Sequence, residues 1–245
     1  MSAPEIRGLD GHYERVLKCY FGNGINGKSH LHNLLRLSNI REEDRKKVVS
    51  FVTKGINTFI YGPMGSGKTV LMKSIVREME PRTIYVDSTL AQTTNSILRE
   101  ILGKINPLNA IPKTNSSLLV RLRRHVRANE LTVCLDHFQH VKELDLVDKL
   151  ISMNVSVVLV AEDKEDYFRL SKFARASITN HFEIKPYSME QVFSILAERA
   201  RLALRDGSYD EGFLMEIAER SKGNVTLALN LLKASVVKAE MERRG

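Results

Sequence analysis

Residues 62–69 read Gly62-Pro63-Met64-Gly65-Ser66-Gly67-Lys68-Thr69, which matches the P-loop pattern G-x-x-x-x-G-K-[ST]. The glycines let the backbone wrap closely around a β-phosphate. The loop amides and the N-terminus of the following helix, which continues through Val70, supply positive potential to an anion. Lys68 is expected to reach the β- and γ-phosphates, and the Thr69 hydroxyl to ligate Mg²⁺. ATP or ADP with Mg²⁺ is the ligand this pattern calls for. Its partner is the run Leu131-Thr132-Val133-Cys134-Leu135-Asp136, an apolar strand ending in a carboxylate at the sheet edge where ligands bind. Asp136 is expected to hold the Mg²⁺ through water. In many such ATPases a glutamate follows to polarise the attacking water, and here the residue is His137. A neutral imidazole accepts a proton but lacks the glutamate's charge, so slow hydrolysis is expected. His137 and His140 lack a third ligand for a metal and read as polar loop residues, while Cys134 reads as core.

The same expression matches again at Gly22-Asn23-Gly24-Ile25-Asn26-Gly27-Lys28-Ser29. No carboxylate-ended strand follows it at a usual distance, so it reads as a glycine-asparagine loop. If it touches a phosphate, a nucleic-acid backbone suits it better than a nucleotide.

The elements that must position the first loop alternate. A helix over 41–53 leads to a strand over 57–61 and, after the loop, a helix over 68–80. Strands at 83–86, 131–135, 155–160 and 182–184 are separated by helices at 90–102, 117–128 and 144–153. Val155 to Val160, VSVVLV, is an unbroken apolar run suited to a parallel strand covered on both faces. This alternation predicts an α/β fold, a doubly wound parallel sheet of about five strands. After Pro186 three helical segments, 188–204, 210–220 and 224–243, follow with no strand between them. The expected organisation is an N-terminal extension at 1–40, a nucleotide-binding core at 41–185 and an all-helical lid at 186–245.

Composition narrows the setting. Only Cys19 and Cys134 are present, neither in a CxxC pair, which argues against a disulfide framework or a zinc ribbon. The N-terminus lacks a secretory h-region and no run approaches the 18 or so apolar residues of a bilayer span. A reducing, cytoplasmic location without membrane partners is expected. The net charge of +8 leans toward a polyanionic partner.

The P-loop, the strand ending in Asp136, VSVVLV and the segment Pro186-Tyr187-Ser188-Met189-Glu190-Gln191 together resemble an AAA+ ATPase. More narrowly, they are similar to the archaeal origin-recognition initiators, relatives of the eukaryotic origin-recognition and helicase-loading subunits. The resemblance runs from Asn39 to about Lys238. It implies a polar sensor, usually Asn, after the strand that follows Asp136, and that position here is Glu162. It implies an arginine finger offered to a neighbouring subunit, for which Arg175 is the candidate with Arg169 behind it. It also implies a second sensor, an arginine in a G-D-x-R-R-A-L-like motif, which stands here as Gly223-Asn224-Val225-Thr226-Leu227-Ala228-Leu229. Thr226 replaces that arginine. The family usually carries a C-terminal winged-helix domain that reads DNA, and this sequence ends at Gly245, after the lid.

With His137, Glu162 and Thr226 all departing from the pattern, nucleotide binding is expected to persist while turnover weakens. Any DNA contact is then expected from the core, from residues 1–40 or from a partner, the candidate surfaces being Arg41 with Arg45, Lys46 and Lys47, and Arg121, Arg123, Arg124 and Arg127 on one helix whose Leu122 and Val126 face the core. The bland alternative is a solvated basic face. The leading expectation is an oligomerising, nucleotide-controlled switch or scaffold on double-stranded DNA or a DNA-bound protein, in replication of an archaeal or viral replicon. The competing ones are an active DNA-dependent ATPase resembling transposition regulators or helicase loaders, and a nucleotide-binding module acting on proteins alone.

Overall fold

The computed structural model describes residues 41–204 and 209–244. The N-terminal extension with Cys19 and its Gly22–Ser29 motif, and the predicted break at Asp206-Gly207-Ser208, lie outside the described residues. The elements, in chain order, are α1 (Glu42–Thr53), β1 (Thr58–Tyr61), α2 (Lys68–Glu78), β2 (Thr83–Asp87), α3 (Thr94–Ile105), α4 (Asn115–Val126), β3 (Thr132–Asp136), α5 (Asp145–Ser152), β4 (Ser156–Ala161), α6 (Lys172–Ser177), β5 (Asn180–Glu183), α7 (Met189–Ala203), α8 (Glu211–Ser221) and α9 (Val225–Arg244). Short 3₁₀ turns at Phe138–His140 and Lys164–Arg169 were not expected from periodicity.

The chain divides into two units. One comprises Arg41–Gly62 and Lys68–Ile184; the other holds Pro63–Gly67 together with the described part of Lys185–Gly245. The first is built on a five-stranded sheet in the order β2-β3-β4-β1-β5, with every pair parallel. The doubly wound α/β architecture is therefore the one expected. Alternation along the strands produces two cores. Phe59, Val133, Leu135, Val157 and Leu159 join α3, α4 and α5 on one face, while Ile60, Cys134, Val158 and Val160 join α1 and α2 on the other. Both faces being covered, the strands are apolar at consecutive positions rather than alternately polar. Cys134 is fully buried and burial pushes its thiol pKa up, in keeping with a core role.

Two boundaries differ from expectation, one for a local reason and one for a non-local reason. Helix α3 starts at Thr94, not Leu90. The Asp87 carboxylate accepts hydrogen bonds from the Thr89 N–H at 3.0 Å and hydroxyl at 2.7 Å, which turns the chain, and Thr93 and Ser96 then form a capping box,. Strand β5 spans Asn180–Glu183 rather than Phe182–Ile184. Its register on β1 pairs Thr58 with Asn180, a non-local match that a four-residue apolar window does not reveal.

In the second unit, Ser188 and Gln191 cap α7 reciprocally. Helices α7 to α9 bury Val192, Leu196, Leu214, Ile217, Leu232 and Val236 around a separate core. Lys222 closes α8 in the left-handed region. Asn224 then opens α9, its Oδ1 accepting the Leu227 N–H at 2.9 Å.

Candidate functional site

In a doubly wound sheet, ligands bind beyond the C-terminal strand ends at the switch in strand order. Here those ends belong to β3, β4 and β1, consecutive neighbours in the sheet. Tyr61 and Ala161 are register partners, so Gly62 and Glu162 leave the sheet side by side, and Asp136 ends β3 next to them. Residues separated by up to 100 positions are thus drawn into one row.

Lys68 opens α2 and is buried, and its Nζ donates to the Gly62 carbonyl at 2.5 Å. Burial lowers its pKa, with Arg41 acting in the same direction, while Glu162 and Asp136 oppose the shift. Both carboxylates therefore act electrostatically on the ammonium group. Thr69 and Val70 follow on the helix, half-buried. Glu162 is exposed.

Asp136 is only 1% exposed, so its charge requires donors. The Tyr85 hydroxyl donates to Oδ2 at 2.8 Å and the His137 N–H to Oδ1 at 2.9 Å. His137 itself lies in the left-handed region, φ 54°. Burial first, and then Asp136, push the Tyr85 phenol pKa far above its ordinary value, so the phenol remains a donor. His137 Nδ1 lies 3.3 Å from Asp87 Oδ1 without the alignment of a hydrogen bond. Burial raises the Asp87 pKa, but the Thr89 hydrogen bonds, with His137 and Lys73, outweigh it and hold the carboxyl below its ordinary range.

In the other unit, Gly65 (φ +76°) and Gly67 (φ +88°) have backbones that an L side chain rarely adopts,. Ser66 Oγ is buried with no protein hydrogen-bond partner. The N-terminus of α9 meets this loop, where the Val225 N–H donates to the Gly65 carbonyl at 3.2 Å. A Cβ at Gly65 would overlap the Asn224 amide, and one at Gly67 would overlap the Tyr187 hydroxyl. Thr226, at the position of the expected arginine, is exposed.

Other predicted residues fare unevenly. Arg41 is buried and pairs with Asp44 at 2.9 Å, and Arg45 pairs with Glu42 and Glu78. The basic surface expected at 41–47 is accordingly reduced to Lys46 and Lys47, which are exposed. On α4, Leu122 is fully buried and Val126 packs against the core, while Arg123, Arg124 and Arg127 are exposed. Arg121 instead donates to the Ala110 carbonyl, bracing the preceding loop. Arg175 is half-buried on α6. Arg169 is engaged by Asp166 at 3.0 Å and by the Gln139 and Val141 carbonyls, so it serves the fold locally. His140 is exposed, and no group of three metal-ligating side chains occurs among the described residues. No helix among them is long and apolar enough to cross a membrane. Sequence reasoning gave no role to Tyr85 or Asp87, and it named Tyr187 and Asn224 only as members of longer motifs. Tyr85 and Asp136 are 51 residues apart, and no motif links them.

Comparison with known proteins agrees with this fold. Residues 52–166 match the family profile described as an AAA domain. An ORC1-type DNA replication protein of Desulfurococcus amylolyticus is 28% identical over 214 residues, covering 76% of this chain and 54% of that protein. The chain thus spans little more than half the length of the curated relatives it matches. Among solved structures, the Aeropyrum pernix ORC1 protein in complex with DNA is similar at a TM-score of 0.68 and 22% identity, over 84% of this chain and 61% of that one. The Aeropyrum pernix ORC2 protein in its ADP form is similar at 0.65 and 20%, over 82% and 63%. Over residues 52–166 the chain matches the AAA domain profile, and it resembles the archaeal ORC1-type DNA replication proteins in sequence and in fold.

Proposed function

We propose that this chain binds ATP and ADP through Gly62–Thr69 and acts as a nucleotide-controlled switch or scaffold of the replication-initiator type, associated with DNA and hydrolysing ATP slowly. The observation that carries the reading is the row at the ends of β3, β4 and β1, where buried Lys68 lies within the fields of Asp136 and Glu162. Lys68 would leave the Gly62 carbonyl for phosphate oxygens, and the loop amides and the orphaned Ser66 hydroxyl would donate to them. Thr69 and Asp136 are the donors for Mg²⁺. A hydroxyl and a carboxylate suit this hard cation, which retains several waters and takes its remaining ligands from phosphates. Held there, the cation would supply positive charge to neutralise the phosphates.

Slow turnover follows from the chain's own residues. Glu162 stands beside Gly62 where the related initiators place a neutral sensor, and its negative charge opposes that of the phosphates. Thr226 carries no charge. The relatives' names support the replication role, and the DNA complex and ADP form among the similar structures support both ligands. Arg123, Arg124 and Arg127 are the proposed phosphate contacts for duplex DNA or a DNA-bound assembly. Arg175 is the proposed finger in a homo- or hetero-oligomer of nucleotide-binding cores with helical lids.

One observation favours the more active alternative, a DNA-dependent ATPase. His137 Nδ1 lies 3.3 Å from Asp87 Oδ1 and 3.8 Å from Asp136 Oδ2, which places an imidazole beside the carboxylate proposed to hold the cation. The deciding experiment titrates fluorescent ATP and ADP onto the protein and measures hydrolysis with and without duplex DNA, alongside Lys68→Ala. Tight binding lost in Lys68→Ala, with turnover near background, is the expected result. Unchanged affinity in that folded variant refutes the site, and strong DNA-stimulated turnover selects the ATPase reading.

A further inference from the structure

Asp136 is a buried carboxylate whose two oxygens each accept one protein hydrogen bond, from different sources. The His137 N–H belongs to the next residue in the chain. The Tyr85 hydroxyl comes from another strand. In the β2–β3 register Tyr85 pairs with Cys134 and Asp87 with Asp136, so Tyr85 and Asp136 are diagonal neighbours on one face. That separation is within reach of an aromatic side chain. The ring is held from two further directions. Lys73 Nζ, on α2, lies 5.1 Å from its centroid, and Lys104 Nζ, on α3, lies 6.0 Å away and donates to the Tyr85 carbonyl. Lys73 is four residues after Thr69 and so shares its side of α2. Tyr85 thereby connects the helix that carries Lys68 and Thr69 to the carboxylate that ends β3.

We propose that Tyr85 is a positioning residue for the divalent-cation site, its hydroxyl holding the Asp136 carboxylate in one orientation. The proposal rests on the nucleotide-binding reading above. Each carboxylate oxygen has two lone pairs, so the Tyr85 and His137 bonds leave acceptor capacity for cation-bound water. Removal of the Tyr85 donor would leave Oδ2 of a buried charge without a protein partner, the costly side of hydrogen-bond deletion. The carboxylate would then turn toward other donors, and its orientation for the cation would be lost. Nucleotide contacts that need no cation, those of the loop and Lys68, would be untouched.

The test is Tyr85→Phe in the full chain, which removes one oxygen and keeps the ring, the packing and both cation–π contacts. Fluorescent ADP is titrated in EDTA and then in excess Mg²⁺, and the Mg²⁺ midpoint is measured at fixed nucleotide, with thermal melting recorded in parallel. Since hydrogen bonds to charged groups are stronger than neutral ones, the midpoint is expected to rise about tenfold while the affinity in EDTA stays within about twofold of wild type. Lys73→Met, which withdraws one cation from the ring, shifts the midpoint less in the same direction. In an Asp136→Asn background Tyr85→Phe adds nothing further. An unchanged midpoint in a folded Tyr85→Phe protein overturns the proposal, as does an equal loss of affinity in EDTA and Mg²⁺, which marks a merely structural role. A wild-type protein that binds no nucleotide is seen before any variant is compared, and it removes the underlying reading and this proposal with it.

Discussion

Gly65→Ala tests the meeting of the phosphate loop with the C-terminal helices. Gly65 has φ +76°, and placing an alanine in the left-handed region costs about 1 kcal/mol. Its Cβ would overlap the Asn224 amide and stand 3.2 Å from Asn224 Cα. The amide must therefore move, although it caps α9 through the Leu227 N–H; an N-cap of this type contributes about 1 kcal/mol. Together the penalty is about 2 kcal/mol, which for a chain of this size lowers Tm by about 4–8 °C. Asn224→Gly alone should cost only a few tenths of a kcal/mol, since glycine is a tolerable N-cap, and it clears the space the new methyl needs. The Gly65→Ala/Asn224→Gly double variant should then be more stable than Gly65→Ala. Circular dichroism at 222 nm follows the helices through thermal melting of all four proteins. A Gly65→Ala protein that melts with wild type refutes the predicted overlap. A double variant less stable than Gly65→Ala refutes the assignment of the cost to Asn224.

Three other outcomes are expected. Glu162→Asn removes a negative charge beside Gly62, so ATP affinity should rise several-fold in the same fluorescence titration; unchanged or weaker binding contradicts the electrostatic argument. Replacing Arg123, Arg124 and Arg127 with alanine should make the log–log salt dependence of duplex-DNA affinity, read by anisotropy, shallower by up to about 2.7 if all three neutralise phosphates. Arg121→Ala, which frees the Ala110 carbonyl, should lower Tm instead. The Asp87 carboxyl is held below its ordinary pKa of 3.8, so it contributes stability that is complete above that value. This contribution fades as pH falls through the interval down to the folded-state pKa and vanishes below it. Denaturant unfolding of wild type and Asp87→Asn should therefore differ at neutral pH and converge in acid; a constant difference across that range would count against the Thr89 hydrogen bonds as its source.

How much was legible beforehand depends on how local each determinant is. The loop Gly62–Thr69 is contiguous, and its pattern consists of residue types at fixed spacing, so eight residues suffice to reveal it. Val155–Val160 is apolar at nearly every position because both sheet faces are covered, and that too can be seen within one segment. Boundaries were less legible where side chains redirected the backbone, as Asp87 and the Thr93–Ser96 box do before α3. The basic surface at 41–47 is smaller than expected for a related reason. Charge is visible in a sequence, whereas the carboxylates that neutralise Arg41 and Arg45 include Glu78, 33 residues away.

Sequence alone determined that a loop with the P-loop pattern sits between a strand and a helix, that a carboxylate-ended strand accompanies it, and that the strands form a doubly wound sheet, because each of these is carried by short-range pattern. Tertiary structure decided what surrounds the Asp136 carboxylate, since strand register alone brings Tyr85 to it and Asp87 toward His137. It also decided that Asn224 and Tyr187 stand against Gly65 and Gly67, because Asn224 caps a helix whose N-terminus meets the loop. Neither pairing has a sequence signature, because a hydrogen bond or steric contact across a fold depends on distances that spacing along the chain does not encode.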